Sequence, residues 1–299
     1  MTEVNMKEKI TKKQHYIPQF YLKNFAGNDG KLWVYDRIEK KYFKSDPKDI
    51  CCEKYLYEMP WENANPKLGK YILPNQIEDD FAKKESEYSK LLEKITKICS
   101  YSQNKRALVC HKDEKRLLAS FVANIFLRNP WSLERANINS VPDELMKNKE
   151  IQSIDELLKT MNFGGIESLV KAVNKKIWLD EEFIGNVPKQ RINDVLDLNF
   201  SILVSKKQQF ITSSFPVVYT TYDSQDEKTH FNSLFLPIHS YIGLIYTHCA
   251  ISKYFQNRMI VIESNVVNQI NQWYLQENIE QTRFLIGQEE KSLKYVVKN

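Results

Sequence analysis

NFSILVSKKQQFITSSFPVVYTTYD, residues 199 to 223, is where the hydrophobic period of this chain turns from helical to extended. In FSILVS, QFITSS and VVYTTYD, β-branched and aromatic residues alternate with polar ones, the pattern of strands whose two faces meet different surroundings. Three more such runs follow at short intervals: SLFLPI (233–238), YIGLIYT (241–247) and MIVIES (259–264). Connections this short predict antiparallel pairing. Beyond them, Ser264 is placed to cap a helix carrying Val266, Val267, Ile270, Trp273 and Tyr274, and RFLIG, 283 to 287, reads as a last strand.

Upstream of residue 199 the helical period dominates. Asn75 opens a long helix, with Glu78 three residues on in the reciprocal capping pattern and a stripe through Ile77, Phe81, Tyr88, Leu91, Leu92, Ile95 and Ile98. A second helix runs from about Asp113 to Arg128, with Leu117, Leu118, Phe121, Val122, Ile125 and Phe126 on one face and Pro130 as its stop. Further helices are expected at 142–150, 153–161, 165–178 and 186–195. Near the start, NDG (28–30) and IEKK (38–41) are turns around LWVYD, and YFK returns as the second strand of a hairpin. The order hairpin, helices, sheet, helix is that of an α+β protein. The expectation is one compact body over residues 1–299, with a short helix plus hairpin at 11–60, a helical region at 74–197, and an antiparallel sheet plus helix at 198–299.

Composition bounds the class. An apolar share of 42% and a charged share of 27% are those of a packed globular chain, and 8 Gly and 10 Pro leave no room for low-complexity linkers. The net charge of +5 is a mild excess, and its densest run, Lys7, Lys9, Lys12 and Lys13, reads as a solvated N-terminus. The 5 cysteines form no CxxC pair, which fits reduced thiols in the cytoplasm. Cys99, Cys110 and His111 match no zinc spacing, so neither a metal nor a cofactor is expected. Residues 229–252 lack Asp, Glu, Lys and Arg, but His230, Asn232, Pro237 and His239 interrupt them; two strands and a turn explain the stretch better than a membrane span. MTEVNMKEK has no apolar core of the signal-peptide kind.

QHYIPQFYLKNF followed by LWVYD resembles the opening of a bacterial family, domain of unknown function 4238. KDICCEKYLYE, FVANIFLRNP, FITSSFPVV, LFLPIHS and the helix before RFLIG follow in the family's order over nearly the whole chain. One departure is plain: where the family usually shows Ser-Asp-Asn-Pro, this chain reads Ser213-Ser214-Phe215-Pro216, with Ser214 at the acidic position. The resemblance implies no established reaction.

The common catalytic signatures are missing: there is no GxxxxGK[ST], GxGxxG, GxSxG or HExxH. What remains is softer. Pro18 suits the first position of a helix carrying Tyr21, Leu22 and Phe25 and ending at Gly27, so Gln14, His15 and Tyr16 lie just ahead of its N-terminus, where anions are favoured. Gln14 and His15 are the catalytic candidates, His15 as a proton carrier. Against this stands a histidine that merely fixes the chain entry by one backbone hydrogen bond. Asn124 and Arg128, four apart, share one side of their helix. Arg128 sits at the margin of an apolar stripe and needs a partner: a carboxylate, helix-end carbonyls or a bound anion. Thr212, Ser213 and Ser214 lie at a strand end, as turn caps or as a cleft lining, and a nucleophilic serine there would need His15, His230 or His239 as its base. The binding candidates are therefore Tyr16, Asn124, Arg128 and Ser213. The expectation is an anion-recognising intracellular effector whose partner is nucleic acid or a phosphate-bearing ligand. In its strongest form it is a metal-independent, nuclease-like hydrolase in a defence or toxin context; the rivals are a binding module without chemistry and a structural subunit.

Overall fold

In chain order the elements are β1 (Lys13–His15), α1 (Gln19–Lys23), β2 (Leu32–Asp36), β3 (Lys41–Ser45), β4 (Cys52–Lys54), α2 (Gln76–Tyr101), α3 (Lys112–Leu127) and α4 (Pro130–Arg135). There follow α5 (Asp143–Lys147), α6 (Lys149–Thr160), α7 (Ile166–Leu179), α8 (Val187–Leu196), β5 (Asn199–Ser205), β6 (Thr212–Ser213) and β7 (Val218–Asp223). The last are β8 (Thr229–His239), β9 (Ile242–Thr247), β10 (Met259–Ile262), α9 (Ser264–Glu277), β11 (Phe284–Gly287) and α10 (Glu290–Lys298). The computed structural model describes residues 10–61, 69–101, 110–183, 187–223, 229–248 and 258–298; the side chains of residues 101, 222, 223, 229 and 230 also lie outside the description, as does Cys249. The chain is an α+β protein, with an N-terminal hairpin and a C-terminal, mainly antiparallel sheet, as its periodicities predict.

Two compact units divide it, each assembled from separate stretches: Met1–Gln14, Glu53–Lys83 and Pro130–Val187 in the first; His15–Cys52, Lys84–Asn129 and Pro188–Asn299 in the second. These boundaries cut across the three sub-regions read from the sequence. The second unit holds both large sheets. One runs β10-β5-β9-β8-β7. β7, β8 and β9 pair antiparallel as successive strands, β9 also pairs antiparallel with the more distant β5, and β10 lies parallel to β5, Met259 opposite Ile202. The other runs β3-β2-β11-β6, so the N-terminal hairpin is completed by a strand from the far end of the chain. QFITSS is not a strand of the main sheet: its β6 pairs with β11, Ser213 opposite Leu285, and the hydroxyls of Thr212 and Ser213 meet those of Tyr21 and Tyr274. The core of this unit gathers Leu203, Phe210, Ile211, Val218, Phe235, Val267, Tyr274, Leu285, Leu293 and Val296.

Within the first unit, Tyr57 packs edge-on against Phe81 with ring centroids 5.1 Å apart, and Ile166, Ala172 and Leu179 form the buried stripe of α7. Most helix ends fall within a residue or two of expectation. α9 starts at Ser264 with Glu263 as its N-cap, so Ser264 is not the cap. Pro18 caps α1 rather than opening it, and α1 stops at Lys23, with Asn24 as its C-cap. Asn75 has φ +61 and its side-chain oxygen accepts from the Thr11 amide. Among the described residues no helix is long and apolar enough to cross a membrane.

Candidate functional site

FVANIFLRNP builds the last turn of α3. Leu118, Phe121, Val122 and Ile125 bury its apolar side, and Arg128 forms the C-cap, its N–H bonded to the Asn124 carbonyl at 3.0 Å. That backbone position draws the guanidinium inward: Arg128 is only 1% exposed. A cation so enclosed must be paired. Its Nη1 donates to Glu85 Oε1 at 2.7 Å and, at 3.4 Å, to the Asn124 amide oxygen; its Nη2 donates to the His15 carbonyl oxygen. Of the partners left open by the sequence, the structure gives Arg128 a carboxylate, Glu85 of α2, together with the His15 carbonyl. The side chain of Glu85 keeps 27% exposure, and its second oxygen takes no partner among the described residues.

His15 is held on both ring nitrogens. Nε2 lies 3.1 Å from the Lys48 carbonyl oxygen and Nδ1 lies 3.4 Å from the Gln19 amide nitrogen. These partners fit the neutral ring with its proton on Nε2. The Tyr16 amide donates to the Cys51 carbonyl at 3.0 Å, and its hydroxyl shares a hydrogen bond with the Cys51 thiol, which burial pushes far above the ordinary thiol range. The helix on which the expected anion pocket leans is only five residues long, too short for a substantial aligned dipole. Arg128, rather than that helix, supplies the positive charge at this corner.

Gln14 belongs to the first unit, where both ends of its amide are bonded. Its oxygen accepts from the Tyr57 amide at 2.7 Å and its nitrogen donates to Glu58 Oε1 at 2.7 Å. Lys175 closes the same cluster, its Nζ donating to the Glu58 carbonyl at 2.9 Å and the Leu56 carbonyl at 3.3 Å. Burial lowers the Lys175 ammonium to about 8, the negative charge of Glu58 partly opposing the shift.

Ser213 is fully buried and behaves as a turn fastener. Its hydroxyl donates to the Phe215 carbonyl at 2.7 Å, accepts from the Phe215 amide at 3.1 Å and meets the Tyr274 hydroxyl at 3.0 Å. No histidine side chain bonds it among the described residues, and the side chain of His230 lies outside them. His239 accepts the Tyr241 amide at Nδ1, 3.2 Å, and burial lowers its basicity. Ser214, where the resembled family usually carries an aspartate, accepts the amides of Arg283 and Phe284 at 3.0 and 3.1 Å, while its carbonyl takes the Asn129 amide nitrogen at 2.7 Å. A serine oxygen therefore performs there the acceptor task open to an aspartate. Among the described residues no group of three or more His, Cys, Asp or Glu could hold a metal ion.

The quoted motifs thus fasten to one another in pairs: Gln14 of the opening to Glu58 of KYLYE, His15 to Arg128, and Asn129 to Ser214. Glu85, Glu58 and Lys175 escaped the sequence reading, although each carried a signal. Glu85 falls four residues after Phe81 and three before Tyr88, inside an apolar stripe, and Lys175 stands between Ala172 and Leu179 in another. Charges in such places need partners. Glu58 closes a quoted motif and is itself buried.

No curated protein and no solved structure matches the chain. A family profile covers residues 13–289, nearly the whole length, and the chain belongs to that family, described as a protein of unknown function, DUF4238.

Proposed function

We propose that this protein is a cytoplasmic anion-recognition module whose ligand carries a phosphate group, free or on nucleic acid, and that the ligand docks on Arg128 in place of Glu85. The observation that carries this reading is the form of the Arg128–Glu85 pair. It is a single 2.7 Å contact from one carboxylate oxygen, on a side chain 27% exposed, to a guanidinium that is almost fully enclosed. A guanidinium prefers a two-pronged anion. Phosphate offers that geometry, and Glu85 holds the place with one prong. Asn124 flanks the corner, Tyr16 follows His15, whose carbonyl holds Arg128, and Ser213 acts at one remove by fixing the turn that carries Ser214.

The engagement of both His15 ring nitrogens and both ends of the Gln14 amide favours recognition without chemistry. The stronger form, metal-independent hydrolysis of a phosphodiester in a defence or toxin setting, gives proton transfer to His15. It draws support from the long 3.4 Å contact at Nδ1, which leaves that nitrogen weakly occupied as a base.

Calorimetry with inorganic phosphate and with a short single-stranded RNA tests the reading. Glu85→Gln removes the competing charge and is expected to bind phosphate about tenfold more tightly than wild type, a gain of about 1.4 kcal/mol. Unaltered phosphate affinity in a folded Glu85→Gln variant sinks it. RNA left intact by wild type removes the hydrolytic form; RNA cut by wild type and spared by His15→Ala supports it.

A further inference from the structure

A second candidate site lies elsewhere in the second unit, where α3, the end of α8 and strands β5 and β9 enclose a cleft of about 380 Å³. Phe200 and Tyr246, directly opposite in the β5–β9 register, form its floor, with ring centroids 5.7 Å apart and planes inclined by 31°. Val195, Leu196 and Leu198 supply aliphatic walls, and Leu196 is 37% exposed at the rim. Lys115 completes the lining from α3, its Nζ 5.8 Å from the centre of the Phe200 ring. Neighbouring Lys94 is paired with Glu114, whereas Lys115 has no carboxylate partner among the described residues. Tyr246 is 3% exposed, and its hydroxyl is buried with no hydrogen-bond partner among the described residues. Burial raises the ionisation of that phenol far above its ordinary range, so it remains a neutral donor.

We propose that this cleft binds a small ligand with a flat apolar body and one anionic group, the body lying on Phe200 and Tyr246 and the anion meeting Lys115. The volume falls in the range of small-molecule sites, where apolar walls supply affinity and a few polar groups orient the ligand. A flat ring stacks on the aromatic floor, and the one charge on the lining repels cations and attracts anions. The cleft shares no residue with the Arg128 corner, so either site stands or falls without the other.

Titration of methyl-labelled full-length protein tests it, read at Val195, Leu196 and Leu198. The probes are phenyl phosphate and benzoate, which separate a phosphate from a carboxylate ligand, with inorganic phosphate and phenol as controls. Saturable shifts at these methyls with at least one aryl anion, and markedly weaker ones with either control, are expected. Lys115→Met keeps the aliphatic stem and is expected to weaken that aryl anion about tenfold with an unchanged melting temperature, the worth of one charge-assisted contact. Neither aryl anion shifting the methyls, or a Lys115→Met titration equal to wild type, overturns the assignment.

Discussion

Arg128 and Lys175 are two buried cations with different solutions. Arg128 cannot shed its proton and so requires Glu85; removing Glu85's charge while the guanidinium stays enclosed is expected to cost roughly 3–5 kcal/mol in chemical denaturation, unless phosphate takes its place. Lys175 has only carbonyl oxygens and a neighbouring carboxylate, and its affinity for the proton falls instead, to about 8. Between that value and the ordinary lysine value of about 10.4 the unfolded chain holds a proton that the folded chain has released. Unfolding free energy therefore rises with pH across this window and is lowest below it. Measured against Lys175→Met at pH 7.5 and pH 10, so that other titrating groups cancel, wild type is expected to gain about 2 kcal/mol. A difference that stays flat with pH would show that Lys175 keeps its proton. Both positions carried a legible sign, a charge inside an apolar helical stripe, but the identity of each partner was not legible, since nothing local ties residue 128 to residue 85 or residue 175 to residue 58.

At the scale of the element, periodicity located most helices and strands because their apolar faces repeat locally. It failed where a few residues answer to distant ones. β6 is two residues long and leaves the sheet suggested by its neighbours in sequence. In β8, Pro237 sits beside a register shift, where a missing N–H is tolerated, and its carbonyl accepts the Tyr21 hydroxyl at 2.6 Å. Gly243 of β9 shows a sequence choice made by packing: a Cβ there would come within 2.5 Å of Phe235 Cε2. Gly243→Ala is expected to cost about 1–3 kcal/mol in thermal or chemical denaturation, because a ring locked in the core must move. Trimming that ring in the double variant Gly243→Ala, Phe235→Leu should cost less than the sum of the two single changes; strict additivity would show that the ring is not the obstacle.

For the molecule as a whole, neither unit is a continuous piece of chain. The sheet β3-β2-β11-β6 takes its first two strands from residues 32–45 and its last two from beyond residue 210. A fragment of residues 188–299 would leave β11 without β2 and the second unit without α3. Lacking the expected far-UV signature and chemical-shift dispersion, it should not fold alone; a cooperative, well-dispersed fragment would contradict the assembly described. The sequence by itself determined the α+β class, the switch of period near residue 199, the long helices and the family, because all of these rest on patterns repeated along adjacent residues. Tertiary structure alone decided which strand completes which sheet, that Glu85 neutralises Arg128, that Gln14 and His15 serve different units, and that Phe200, Tyr246 and Lys115 line one cleft. The reason is physical: burial fixes that a polar group must be satisfied, while only the closed fold fixes by whom.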